Sequence, residues 1–149
     1  MIAAGHRLDN PALLKSGLEA LDWYAEQCAL HTDIVRLVGN RWRRSGEPPR
    51  GWIAEGDEQP LDAAALVEAL AEATIATGQR EYGRQAFRAF EWFLGRNCAG
   101  LAVYDFATGG CHDGLGPDGL NDNEGAESTL AYLQAWLAIE AAGLQASAP

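Results

Sequence analysis

The densest group of chemistry-bearing side chains lies in the run Tyr104-Asp-Phe-Ala-Thr-Gly-Gly-Cys-His-Asp-Gly-Leu-Gly-Pro-Asp-Gly-Leu-Asn-Asp-Asn-Glu-Gly-Ala-Glu-Ser-Thr-Leu130. It sets Asp105, His112, Asp113, Asp118, Asn121, Asp122, Asn123, Glu124 and Glu127 among glycines. Glycines let the backbone come close to a ligand. Carboxylates and amides in such a loop suit the paired hydroxyls of a sugar, and aromatic faces suit its ring. Trp42, Trp52, Trp92 and Tyr104 are the candidate faces, and Asp113 with Glu124 or Glu127 is the candidate carboxylate pair. Glycoside hydrolysis needs two carboxyl groups about 5–9.5 Å apart, one with a raised pKa. The plain alternative is a solvated acidic turn leading into a helix. Asn123 suits a cap, Glu124 and Glu127 suit the positive end of a helix dipole, and Asp113-Gly and Asp118-Gly are ordinary turn pairs.

Metal and nucleotide chemistry find less support. Asp113 to Glu124 has the span of an EF-hand loop, but Leu115 and Pro117 fall at ligand positions and Asp118 replaces the required glycine. Cys98, Cys111 and His112 do not have zinc-site spacing. The sequence therefore predicts no metal and no cofactor, and neither a dinucleotide nor a P-loop glycine motif is present. Glu47 and Glu55 match a Glu-x7-Glu spacing, but Pro48, Pro49 and Gly51 break the chain between them. His31 and His112 are the candidate general acid–base residues, with helix capping the simpler role for His31. Arg36, Arg41, Arg43, Arg44 and Arg50 suit an anionic partner or pairing with local carboxylates.

Four helical segments are predicted to position these residues. The first runs from about Pro11 to Leu30, with Asn10 as cap and Leu14, Leu18, Leu21, Ala25 and Cys28 on one stripe. The second runs from Leu61 to Thr77 and is buried through Leu66, Ala69, Leu70, Ala73 and Ala76. Gly78 breaks it, and a third from Gln79 to Gly95 folds back as an αα-hairpin with Tyr82, Ala86, Phe90, Phe93 and Leu94 on one face. The last runs from Asn123 to Ala142 and is apolar on two sides, the pattern of a helix buried between neighbours. Glycine-rich stretches at 31–60 and 96–122 read as long loops, and the tail 144–149 as frayed.

These 149 residues suit a single helical domain, and 48% hydrophobic content is enough for a core. A net charge of −10 argues against nucleic acid as partner. No apolar run is long enough to span a bilayer, and no signal peptide is evident. Three widely spaced cysteines suggest reduced thiols, hence a cytoplasmic protein.

The strings Trp92-Phe-Leu-Gly-Arg-Asn97, Tyr104-Asp105, Thr108-Gly-Gly-Cys-His-Asp-Gly-Leu115 and Asn121-Asp-Asn-Glu-Gly-Ala-Glu-Ser-Thr-Leu130 resemble the C-terminal helical region of certain bacterial glycosyltransferase proteins. Related patterns occur in six-hairpin, (α/α)6 glycosidase-like domains. Glu58-Gln-Pro-Leu-Asp62 fits the same pattern, and the resemblance covers roughly residues 50 to 142. That family often carries glutamine where Glu124 stands, so Glu124 is an added carboxylate. The resemblance implies an all-α fold, an αα-hairpin array similar to a segment of an (α/α)6 toroid. It implies a carbohydrate-active, glycosyltransferase-associated domain that contacts a glycan. Asp113, Glu124 and Glu127 are then the candidate catalytic residues, and Trp52, Trp92, Tyr104, Asp105, His112, Asn121 and Asn123 the candidate sugar contacts. Two other classes remain open: a non-catalytic interaction module and a small glycoside hydrolase. The chain holds about a third of a toroid, so a homo-oligomer or a partner chain is expected to complete the array.

Overall fold

The computed structural model describes residues 1–38 and 57–144. Trp42, Trp52, Glu47, Glu55, Arg41, Arg43, Arg44 and Arg50 lie outside the described residues. The described chain is mainly helical, with one two-stranded hairpin: α1 (Ile2–Arg7), α2 (Pro11–Gln27), α3 (Pro60–Thr77), α4 (Arg80–Phe90), a 3-10 turn (Glu91–Leu94), β1 (Leu115–Gly116), β2 (Gly119–Leu120) and α5 (Ala126–Ala141).

Local chemistry sets most of these boundaries. The Asn10 side chain accepts the Leu13 amide at 3.0 Å, with Pro11 opening α2 where its missing N–H costs nothing. The helix stops at Gln27, short of the expected Leu30, because Ala29 adopts a left-handed φ of 56°. Gly78, at φ 68°, ends α3 and lets α4 begin two residues later, so the two helices fold onto each other. The third predicted helix instead tightens into the 3-10 turn at Glu91. Each residue there advances about 120° rather than 100°, which buries Trp92 and Phe93 and leaves Leu94 exposed, contrary to the expected stripe.

α3 occupies the centre and packs against α1, α2, α4 and α5. Its Ala63, Ala64, Leu66, Val67, Leu70, Ala71 and Ala73 are all buried, so it is enclosed on several sides. Phe90, Phe93, Tyr132 and Trp92 form the aromatic part of the core, with the Phe93 ring edge-on to both Trp92 and Tyr132 at centroid distances of 5.3 and 5.5 Å. The fully buried Trp92 donates Nε1–H to the buried Glu58 carboxylate at 2.6 Å. Glu58 and Leu115 exchange two backbone hydrogen bonds of 2.9 Å each, which fastens the chain entering α3 to β1. No helix among the described residues is long and apolar enough to cross a membrane.

Candidate functional site

That fastening brings two helix starts together. Between them opens a cavity of about 610 Å³, walled by Asp57, Gln59, Pro60 and Leu61 at the start of α3, the β1–β2 hairpin, and Gly125–Ser128 at the start of α5. Its polar lining consists of Asp57, Gln59, Asp113, Asp118, Asn121, Glu127 and Ser128.

Asp113 organises the α5 side. Its Oδ1 accepts the Gly125 amide at 2.8 Å and the Ser128 hydroxyl at 2.7 Å, and its Oδ2 accepts the Asn123 side-chain amide. Its own amide donates to the Asn123 carbonyl at 2.8 Å. The Ser128 hydroxyl, followed by the Asn123 and Gly125 donors, holds the Asp113 carboxyl below the usual carboxylate range. A Cβ at residue 125 would sit 2.6 Å from Asp113 Oδ1, so this contact needs glycine. Gly125, not the expected Asn123, is the N-cap of α5, which begins at Ala126, and the Asn123 side chain is instead engaged by Asp113.

The three candidate catalytic carboxylates divide between two places. Asp113 and Glu127 both line the cavity. Glu124 belongs to a second group: its Oε2 accepts the Thr108 hydroxyl at 2.7 Å, and its Oε1 stands 3.9 Å from His112 Nε2. Asp105 completes that group, with one ligand atom each of Asp105, His112 and Glu124 lying within 4.8 Å of the others. Asp105 Oδ1 accepts the Ala107 amide at 2.7 Å, and this bond above all keeps its carboxyl below the ordinary range. His112 Nδ1 lies 2.8 Å from the Asn121 carbonyl.

The remaining candidates also separate. Asn121 lines the cavity, and its side-chain oxygen accepts the Asn123 amide at 2.9 Å. Trp92 presents no face to a ligand, since it is fully buried and its N–H is committed to Glu58. Tyr104 stacks on Tyr132 at 4.0 Å and meets the edge of the exposed Phe106 at 5.0 Å, away from the cavity lining. Asp57 and Gln59 also line the cavity; Gln59 falls within the Glu58-Gln-Pro-Leu-Asp62 string, whereas Asp57 belongs to no motif. Both flank Glu58 immediately before the proline that opens α3.

No protein-family model matches this chain, and no curated protein matches it.

Proposed function

We propose that this chain is a carbohydrate-contacting helical domain, associated with glycosyltransferase chemistry, and that its cavity between the starts of α3 and α5 receives a glycan. The observation that carries this reading is the cavity lining, where carboxylates, amides and a hydroxyl surround about 610 Å³ of space. That volume falls within the usual range for small-ligand sites, about 300–1,000 Å³. Its donors and acceptors match vicinal hydroxyls. The resemblance of residues 92–130 to helical regions of bacterial glycosyltransferase proteins supports the same reading.

The cavity is read as a binding site. Asp113 is kept ionised by its three donors, which suits an acceptor of hydroxyl hydrogens and not a proton-donating acid. Sugar-nucleotide chemistry then belongs to another domain or chain. In the same proposal α3, α4 and α5 would form a portion of an αα-hairpin array like that of an (α/α)6 toroid.

A screen of oligosaccharides and sugar nucleotides by calorimetry tests the proposal. A glycan that binds is expected to bind at least tenfold more weakly to Glu127→Gln, because a charge-assisted hydrogen bond contributes about 1.5–3 kcal/mol. Gln59→Ala on the opposite wall weakens it further. Silence across the whole screen, or affinity untouched by both variants, would remove the cavity as a glycan site.

A second reading rests on a separate observation. Leu130, Leu133 and Leu137 form an exposed stripe on α5, beside the half-exposed Trp136. An apolar helix face left open in this way supports association with a further copy or a partner chain.

A further inference from the structure

Asp105, His112 and Glu124 come from three separated points of the loop and meet outside the cavity lining. We propose that these three side chains form a site for one divalent transition-metal ion of borderline softness, with Zn²⁺ the foremost candidate.

The Asn121 carbonyl can only accept a hydrogen bond, so His112 Nδ1 must carry the hydrogen across their 2.8 Å contact. In the neutral ring this places the lone pair on Nε2, the nitrogen that faces Glu124. A backbone carbonyl fixing one imidazole nitrogen while the other is directed at a metal is the usual second layer around a ligating histidine. The His112 Nε2 to Glu124 Oε1 separation of 3.9 Å is too long for a hydrogen bond. Nitrogen and oxygen ligands on one tetrahedral Zn²⁺ stand about 3.4 Å apart, from bond lengths near 2.1 Å. A contraction of about half an ångström brings this pair to ligand spacing, and the Asp105 ligand atom, within 4.8 Å of the other two, closes in by up to about 1.4 Å.

The carboxylates are anchored from behind. Ala107 N–H holds Asp105 Oδ1, and the Thr108 hydroxyl holds Glu124 Oε2, which leaves Glu124 Oε1 on the histidine side. Gly110 makes room for this arrangement, since a Cβ there would collide with Glu124 Oε2. A cation placed between the Asp105 and Glu124 carboxyl groups would interact favourably with both. One imidazole with two carboxylates suits zinc or manganese better than a purely oxygen-seeking ion. Three protein ligands also leave a coordination position open to water. The ion would tie the hairpin around residues 104–111 to the chain entering α5.

The test uses the full chain, freed of metal with a chelator and titrated with Zn²⁺ by calorimetry and with Co²⁺ by absorption. We expect one ion per chain and an affinity at least tenfold lower in each of His112→Ala, Asp105→Asn and Glu124→Gln. The last two keep side-chain shape and the anchoring acceptor oxygen, so their circular dichroism spectra should stay native while binding falls. Cys98→Ser should bind as the parent does, and the cobalt spectrum should show no thiolate charge-transfer band. The proposal is overturned if no ion binds, if Asp105→Asn and Glu124→Gln bind normally, if Cys98→Ser abolishes binding, or if Mg²⁺ binds as tightly as Zn²⁺. Because metal alone is the probe, the outcome does not depend on whether any glycan binds.

Discussion

At the residue scale, Asp113 has two commitments that compete. One carboxylate oxygen collects an amide and a hydroxyl from the first turn of α5, while the same carboxylate lines the cavity. Replacing it with Asn removes the charge from three hydrogen bonds, and we expect Asp113→Asn to lower unfolding free energy by about 1–3 kcal/mol in urea denaturation. The pH dependence follows from the direction of its shift. Its folded pKa is depressed, so its stabilising contribution is present above the unfolded value near 3.9 and is lost as pH falls through the folded value. The variant should lose less stability than the parent between about pH 4 and pH 2, and an equal loss in both would contradict the clamp. The partition of Glu124 from Glu127 was hidden in sequence for a related reason. Residues three apart share a face only inside a helix. Here α5 starts at Ala126, after Gly125 in an extended conformation, so Glu124 precedes the helix and turns toward Thr108 and His112. The Asp105–His112–Glu124 group was likewise invisible to spacing rules, because its members are seven and twelve residues apart and meet only through the folded loop.

At the element scale, the legible features were those written in local chemistry: the Asn10 cap, the Gly78 break, and the apolar residues of α2 and α3. α1 was missed because six residues give too little periodicity to detect. The β1–β2 hairpin was missed because its strands are two residues each, although Pro117-Asp118-Gly119 is a recognisable turn. α1 is nevertheless closely docked. A Cβ at Gly5 would lie 2.5 Å from the Leu14 backbone nitrogen and 2.7 Å from its Cα, neither of which can rotate away. Gly5→Ala should therefore push α1 off α2 at a cost of about 1–3 kcal/mol, despite the better helix propensity of alanine. A thermal melt in which Gly5→Ala matches or exceeds the parent would show that this contact is not close-packed in solution.

At the scale of the whole molecule, α3 and α5 differ in a way their compositions conceal. Both are apolar around much of their circumference, yet α3 is enclosed while α5 buries only one side, through Ser128, Ala131, Ala135 and Ile139. The sequence pattern placed α5 between neighbours. Among the described residues the opposite face instead exposes Leu130 by 56%, Leu133 by 46% and Leu137 by 63%. These spacings of three and four form one stripe, and covering a leucine side chain contributes up to about 1.5–3 kcal/mol before the costs of association. The net charge of −10 opposes pairing of two copies, and α5 itself carries Glu127 and Glu140 with no lysine or arginine. Self-association should thus strengthen as added salt screens the repulsion, the reverse of an interface built on ion pairs. Sedimentation equilibrium at micromolar concentration in low and high salt measures this directly. Leu133→Glu should return the chain to monomer at both salt levels, because it places a charge in the middle of the stripe. A parent chain that remains monomeric in high salt would instead assign the stripe to a partner other than a second copy.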